Sequence, residues 1–456
     1  MPFVPGTRRA RPAHQEPRPA VAPQAPLTNI MDSITALLPL LKILAAFSAM
    51  LAGIRLRLGL GTSILGGAAL TALLFGLPPE RWPQVVASAL ANRTTLFLAG
   101  IVGLIMALST SMEKTGQSRR LMEALAVRMR SPRLRLVFFP ALIGLLPMPG
   151  GAVFSAPMVG EVSRRMSVDA ADKALINYWF RHVWELGWPL YPGMILTASL
   201  GGLPIHQLIA WTFPAVPLCL LLGWVFVLRP GRLRIEETPA PVTTARTSLA
   251  GILVLGLPLL VAIGGAVALE GAIGLLLPGV PFEWGVLAAL LAAIVVLLAQ
   301  NGFPLAPVRQ TLASRHLYSM LFVIVAIFVF KETMQAAGVV HELAGMAGGE
   351  VALLASAVFL PFLVGAISGI NVAFVGATFP LLLGILEGLG MQDQTLPYLV
   401  LAQFFGFTGV MISPLHICFI LTCQFFQVEL SRVWRRLVVP CALLAASGSG
   451  YFLLIR

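Results

Sequence analysis

Apolar stretches long enough to cross a lipid bilayer recur along this chain, and they constrain its fold more than any other feature. A membrane-spanning helix needs ~20 apolar residues, and twelve such membrane elements can be read in the sequence. A water-soluble domain needs a charged, hydrated surface, whereas 58% of these residues are hydrophobic and only 11% are charged. We therefore predict an all-α polytopic membrane protein surrounded by lipid.

The twelve predicted elements fall into two groups of six. They lie near residues 33–54, 58–76, 93–111, 136–163, 174–200 and 206–228, and near 249–270, 284–299, 317–336, 352–388, 397–427 and 437–455. In each group the fourth element is predicted to be a re-entrant helical hairpin and the fifth an interrupted membrane helix, because Pro and Gly break their apolar runs.

Composition divides the chain into four parts. Residues 1–30 are rich in Pro and Arg and contain little that could pack, so we predict a disordered tail. Met31 is then an alternative start of the protein. Residues 31–228 form a first repeat, residues 229–248 a polar cytoplasmic linker, and residues 249–456 a second repeat.

The two halves are similar around their broken elements. VFFPALIGLLPMPGGAVFSAP (137–157) aligns without gaps on VFLPFLVGAISGINVAFVGAT (358–378), at a constant offset of 221 residues. With one extra residue, Gly187 pairs with Gly409. Internal symmetry of this kind is typical of transporters built from repeats.

Charge predicts that the two repeats are inverted. The loop 113–135 carries seven Lys or Arg, whereas the equivalent loop 332–350 carries none and has three Glu. Basic loops stay on the cytoplasmic side, so these equivalent loops are expected on opposite sides of the membrane. Predicted cytoplasmic segments hold 21 Lys or Arg and outer segments two, with the four arginines of the tail as the misfit. This bias accounts for the net charge of +12 without a nucleic-acid partner.

The first broken element, LLPMPGGAVFSAP (145–157), predicts a site for an anion. Its prolines break the helix, and Gly150 and Gly151 let the chain reverse. The freed backbone groups must face protein or water, and the N-terminus of the following helix favours negative charge. We predict that Pro149, Gly150, Gly151 and Ser155 bind the solute. A simple kinked hairpin is the alternative.

The second broken element, AISGINVAFVGATFP (366–380), carries small hydroxyl and amide side chains at matching positions. Such groups beside unwound carbonyls are good ligands for a hard cation. We predict Asn371 and Thr378 as solute ligands, and Ser368 and Asn371 as ligands of a coupling ion. Ordinary Ser, Thr and Asn packing between membrane helices is the alternative.

The first interrupted span, NYWFRHVWELGWPLYPG (177–193), places Arg181, His182 and Glu185 in an apolar stretch. On a continuous helix Arg181 and Glu185 would pair one turn apart, although Arg181 could instead reach the cytoplasmic interface. Ionisable groups at membrane depth usually mark a pathway. We therefore predict that His182 or Glu185 carries a coupling proton.

The second interrupted span, QFFGFTGVMISPLH (403–416), is predicted to unwind between Thr408 and Pro414. Thr408 and Ser413 are therefore predicted to bind the solute, whereas His416 is expected to be a packed residue. No metal site is predicted, because the four cysteines lie in apolar segments without CxxC spacing or paired histidines.

LPMPGGAVFSAPMV, NYWFRHVWELGWPLYPG and SGINVAFVGATFPLL resemble a prokaryotic membrane family known as domain-of-unknown-function family 401. That family looks like a member of the ion-transporter superfamily, which includes gluconate, citrate and dicarboxylate permeases and arsenite carriers. The resemblance covers roughly residues 33–456 and implies an elevator-type carrier. Dicarboxylate carriers of that superfamily place Ser-Asn-Thr motifs at both hairpin tips. Here only the second tip is similar, through Ser368, Asn371 and Thr378.

Together these features predict a secondary transporter in the inner (cytoplasmic) membrane of a bacterium or archaeon. It would move a small anionic, carboxylate-type solute coupled to H⁺ or Na⁺, without a cofactor, as a monomer or homodimer. No phosphate-binding P-loop is present, so ATP hydrolysis is not expected. A channel or the membrane subunit of a pump is the alternative. A membrane-embedded enzyme is disfavoured because no HExxH or G-x-S-x-G motif occurs.

Overall fold

The computed structural model describes residues 26–126, 131–145, 152–230, 233, 235, 248–277, 279–281, 283–344 and 349–456. Two compact units are present, Met1–Leu38 and Pro39–Arg456. In the first unit, the described residues are the start of a helix. Everything below concerns the second unit.

The described residues form α-helices and no β-strand. The helices of the first half are α1 (Pro26–Arg55), α2 (Leu60–Leu74), α3 (Trp82–Ala91), α4 (Arg93–Lys114), α5 (Gln117–Ala126), α6 (Pro132–Gly144), α7 (Ala152–Val162), α8 (Ala170–Arg181), α9 (Pro192–Gly201), α10 (Ile205–Thr212) and α11 (Ala215–Gly223). Those of the second half are α12 (Leu249–Leu276), α13 (Glu283–Gln300), α14 (Ala306–Leu312), α15 (Arg315–Ala336), α16 (Val339–Ala344), α17 (Gly349–Ser368), α18 (Asn371–Gly388), α19 (Thr395–Ile412), α20 (Ile417–Phe425) and α21 (Leu430–Ile455).

Eight of the described helical segments are long and apolar enough to cross a membrane. They include the pairs α10–α11 and α19–α20, each taken as one segment. The chain is therefore a multi-pass helical membrane protein, as the hydropathy predicted. Some helices extend past the predicted spans: α1 begins at Pro26, and α21 begins at Leu430 inside a predicted loop. Short apolar or amphipathic turns such as α3 and α14 were not predicted.

The offset of 221 residues relates helices of the first half to counterparts in the second half. Contacts between helices of different halves occur in matching pairs under this offset. α2 packs against α15, and its counterpart α13 packs against α4; α3 packs on α15, and its counterpart α14 on α4. Further along the chain α7 packs against α20, while its counterpart α18 packs against α9. Each half therefore supplies part of the surroundings of the other.

Three helix interruptions lie among the described residues and position the site. α17 ends at Ser368 and α18 begins at Asn371, with Gly369 at φ 64° between them. Residues 182–191 separate α8 from α9, and residues 413–416 separate α19 from α20. The turn predicted at 147–151 lies outside the described residues.

The second interruption begins later than predicted, because Thr408 and Gly409 belong to the continuous helix α19. Gly409 serves close packing and not unwinding. A Cβ there would overlap the carbonyl oxygen of Phe362 and lie 3.0 Å from the Ala366 nitrogen. The glycine therefore lets α17 approach α19 backbone to backbone, which is a second use of glycine in membrane helices.

Candidate functional site

The three described interruptions meet at one place. A Cβ on Gly369 would lie 2.8 Å from both the backbone nitrogen and the Cα of His416, so the turn between α17 and α18 rests on the second interruption. A Cβ on Gly193, in the first turn of α9, would overlap the Asn371 side chain at the start of α18. Glycine at these positions allows the close approach that brings the helix ends together.

Ionisable side chains from both halves converge there and are almost fully buried. His182 Nδ1 lies 2.6 Å from the Tyr178 carbonyl oxygen, so this ring nitrogen is the donor. His182 Nε2 lies 3.1 Å from His416 Nε2 and 3.3 Å from Arg181 Nη1. Glu185 Oε1 is 3.8 Å from the same nitrogen. The first interruption thus supplies the charges, and the second supplies a facing imidazole.

Asn371 links the hairpin turn to this cluster. Its Nδ2 donates to Glu185 Oε2 at 3.4 Å, which is a long hydrogen bond. Its Oδ1 is buried and receives no hydrogen bond within the described part of the chain. Buried polar atoms are nearly always paired in folded proteins, so this oxygen is suited to receive a donor from a bound molecule.

Aromatic side chains satisfy the backbone carbonyls that the interruptions free. The Tyr178 hydroxyl donates to the Met411 carbonyl at 3.0 Å, and Trp434 Nε1 donates to the Ile412 carbonyl at 2.7 Å. In the first half, the Tyr191 hydroxyl donates to the Gly144 carbonyl at the end of α6. Helix ends at membrane depth need such partners, because hydrocarbon offers none.

The predicted ligands divide into two groups by position. Ser368, Asn371 and Ser413 lie at the interruptions. Thr378 and Thr408 lie inside helices, where each hydroxyl donates 2.7 Å to the carbonyl four residues earlier. Thr378 is also roughly 10 Å along α18 from Asn371, at 1.5 Å per residue.

The remaining predicted ligands belong to the first hairpin. Ser155 is fully buried within α7, whereas Pro149, Gly150 and Gly151 lie outside the described residues.

The predicted helical pairing of Arg181 with Glu185 is wrong in its geometry. α8 ends at Arg181, and Glu185 lies in the turns that follow. Both side chains remain buried in the same cluster.

A histidine pair and one cysteine approach metal-site geometry within the described chain. One ligand atom from each of His182, His416 and Cys418 lies within 4.8 Å of the others, and all three residues are buried. Such ligands suit a transition metal. However, the Arg181 guanidinium beside His182 Nε2 opposes a cation at this point. We therefore assign no metal to the cluster and treat it as a polar network.

Two cavities flank the interruptions. One, of about 760 Å³, reaches Ser368, Ile370 and Leu415 and is bounded on its other side by the turn between α1 and α2. The other, of about 480 Å³, lies against residues 187–190 and is lined mostly by apolar side chains of α4, α10, α12 and α13.

One family model matches almost the whole chain: residues 35–455 match the family described as "Protein of unknown function (DUF401)". The chain belongs to this family. The resemblance carried by the proline-glycine, Arg-His-Glu and Ser-Asn motifs is thus confirmed at the family level. No curated protein matches this DUF401 chain.

Some polar contacts of this DUF401 protein were not predicted from its sequence. Asn177 Nδ2 donates to Thr422 Oγ1 at 2.9 Å, and Gln403 Nε2 donates to Thr197 Oγ1; all four side chains are buried. Each bond joins the first half to the second. Their only sequence signal is a polar residue in an apolar run, which does not identify the partner.

Proposed function

We propose that this protein is a secondary carrier for a small anionic solute of the carboxylate type. In this proposal it acts in the cytoplasmic (inner) membrane, driven by H⁺ or Na⁺, without a cofactor. The observation that carries the proposal is the meeting of helix interruptions from both halves around the buried Arg181, His182 and Glu185 and the partly buried Asn371. A structural scaffold gains nothing from interrupted helices, each of which frees backbone groups costing ~2–7 kcal/mol when unpaired.

The exchange of neighbours between the halves supports inverted repeats. When two equivalent units are related by a two-fold axis in the membrane plane, a contact between elements of different units occurs twice. The packing of α2 on α15 and of α13 on α4 follows this pattern. In this proposal α17–α18 and α6–α7 are the re-entrant hairpins. The architecture would then place the protein among the elevator-type carriers of the ion-transporter superfamily.

Arg181 supports an anionic solute. Its side chain is buried at 4% exposure, in the same cluster as Asn371, whose side-chain oxygen lacks a donor among the described residues. A guanidinium offers a planar set of donors that fits a carboxylate. The solute would bind between Arg181 and Asn371, and Glu185 would then be the group that must change its charge.

Glu185 and His182 support proton coupling. Their side chains approach each other to 3.8 Å, and Glu185 also receives the Asn371 amide. A proton gained by either group removes or adds one charge next to the solute, so loading of proton and anion would be linked. Sodium at the turn formed by Ser368 and Asn371 is the second possibility.

Flux in proteoliposomes tests this proposal. Purified protein should accumulate a radiolabelled carboxylate against its gradient when an inward H⁺ or Na⁺ gradient is imposed, and collapse of that gradient with an ionophore should abolish accumulation. Passive flux that ignores both gradients would support a channel. No flux with any member of a panel of mono-, di- and tricarboxylates would reject the carboxylate assignment.

Asn371→Ala gives the sharpest local test. It removes the amide that joins the hairpin turn to Glu185 and should lower flux at least tenfold. Thermal unfolding should stay near that of the wild type, because Asn371 is only partly buried. Thr378→Val is the matched control in the same helix, since the Thr378 hydroxyl is already bonded to its own helix. Equal flux in Asn371→Ala and wild type would exclude Asn371 from the site.

A further inference from the structure

The larger cavity is bounded by two arginines at the turn between α1 and α2. Arg55 and Arg57 both line it and are both exposed. Among the described residues that line this cavity no acidic side chain occurs, and neither arginine forms an ion pair within the described chain. The cavity is therefore a concave surface with uncompensated positive charge, a shape that concentrates anions.

The backbone at Arg57 shows that this turn is specialised. Arg57 has φ 61°, a left-handed conformation in which Gly or Asn is usually found, and Gly59 follows at φ 89°. The turn is held by Ser63, whose hydroxyl donates to the Gly59 carbonyl at 2.7 Å. Arg55 could serve simply as a cation at the C-terminus of α1. That explanation does not apply to Arg57, which lies beyond the helix.

The opposite wall of the cavity is the hairpin turn itself. Ile370 is 47% exposed and Leu415 50% exposed, although each lies beside a helix interruption within the protein. Gly369, between Ser368 and Ile370, contacts the backbone of His416. The cavity thus ends one residue from the buried cluster.

We propose that this cavity is the cytoplasmic mouth of the transport pathway, and that Arg55 and Arg57 draw anions into it. The inference rests on the carrier function proposed above and adds the side from which the hairpin turn between α17 and α18 is reached. In the predicted topology, the turn between α1 and α2 is cytoplasmic. The second hairpin turn would therefore face the cytoplasm in this conformation.

Thiol labelling tests whether the cavity opens to the cytoplasm, and it does not require the solute to be known. The four native cysteines are buried, so an introduced cysteine dominates the reaction. The Ile370→Cys variant is labelled in inside-out and right-side-out vesicles with two membrane-impermeant thiosulfonates, one anionic and one cationic. We expect labelling in inside-out vesicles, with the anionic reagent reacting several-fold faster than the cationic one.

Removing the charges of Arg55 and Arg57 tests whether these two arginines attract anions into the cavity. In the background of Ile370→Cys, the double change Arg55→Gln with Arg57→Gln should lower the anionic-to-cationic rate ratio by about three- to tenfold at low salt, because two nearby charges are lost. Arg309→Gln is the matched control, since Arg309 is exposed on the same predicted side and does not line the cavity. It should leave the ratio unchanged.

Two outcomes overturn the proposal. Labelling of Ile370→Cys only in right-side-out vesicles would place the cavity on the outer face. If the anionic-to-cationic rate ratio is unaffected by loss of both arginines, they do not attract anions into the cavity, and their charges serve only to orient the protein in the membrane. Leu415→Cys serves as a second reporter if the first variant does not fold. Labelling does not require transport. A failed flux assay would therefore reject the proposed carrier function, while the labelling rates would still show whether the cavity opens to the cytoplasm and attracts anions.

Discussion

The interruption between α8 and α9 and the interruption between α19 and α20 both break a membrane helix, but they carry different side chains. The first, over residues 182–191, is long and holds Glu185 next to Arg181 and His182. The second, over residues 413–416, is short, and His416 is its one ionisable residue. Charges inside a membrane are costly, and here they are concentrated in the first half of the chain. We therefore expect the first interruption to supply the chemistry of the proposed carrier and the second to supply the surface that faces it.

The cavities beside the two interruptions also differ in the charged side chains that line them. The cavity beside residues 413–416 is bounded by Arg55 and Arg57, whereas the one beside residues 187–190 contains His206 and Glu283 in a largely apolar wall. A pathway with unlike mouths does not treat its two sides equally. If both cavities open onto the pathway of the proposed carrier, an anion would be concentrated at the cavity with the two arginines, and apparent affinity should differ between the two directions of transport.

The largest effect on this comparison is expected from Glu185→Gln. Glutamine keeps the shape and cannot titrate, so flux should fall at least tenfold and lose its dependence on pH. The charged and titratable groups near Glu185 are Tyr178, Arg181, His182, Tyr191 and Cys219 in the first half and His416 and Cys418 in the second. Flux measured from pH 5 to 8 provides the readout. Glu161→Gln, which removes an exposed carboxylate paired with Arg164, should keep the wild-type profile. A wild-type pH profile in Glu185→Gln would assign coupling elsewhere.

A smaller effect is expected from alanine at the paired glycines. At Gly409 the added methyl group meets backbone of α17, which cannot move aside, whereas at Gly187 it meets the Val216 side chain. Overpacking costs ~1–3 kcal/mol, so Gly409→Ala should lower the thermal unfolding midpoint more than Gly187→Ala. Gly264→Ala, where the new methyl group has open space, is the control. The reverse order would mean that the contact between α17 and α19 at Gly409 deforms more easily than the contact at Gly187.

The smallest effect is expected from Ser413→Ala. Its hydroxyl accepts the Leu415 amide at 3.2 Å, and loss of such a bond costs ~1 kcal/mol. Flux should stay within about twofold of the wild type, because this serine holds the turn and carries no charge. A tenfold loss of flux, measured as initial rate in proteoliposomes, would make the second interruption a binding element and remove the division of roles.

The sequence was sufficient for the approximate positions of the long apolar helices and for two of the three described interruptions. Pro and Gly at 187–193 and the polar pair Ser368 and Asn371 mark those breaks because their backbone effects are local. Gly409 gave a misleading signal, since glycine serves both turns and close helix contacts. Which use applies depends on the neighbouring helix, which one segment of sequence does not specify.

The composition of the site was only partly predictable. His182, Glu185 and Asn371 stand out as polar residues in apolar runs. Cys418 and the facing ring of His416 do not, because their roles depend on how α20 crosses α8. Thr378 and Thr408 remain predicted ligands, and each hydroxyl donates to the backbone of its own helix. The first hairpin turn remains a prediction.

The crossed packing of α7 on α20 and of α18 on α9 has a consequence for biogenesis. Synthesis runs from the N-terminus, so the first half reaches the membrane before any of its partner helices exist. Until residue 416 has been inserted, Arg181, His182 and Glu185 lack the histidine and asparagine that face them. The first half is therefore expected to stay incompletely packed until the second half has been inserted. The two halves are expected to mature as a single assembly unit, and a chain severed within residues 236–247 should yield stable protein only when both fragments are made in the same cell.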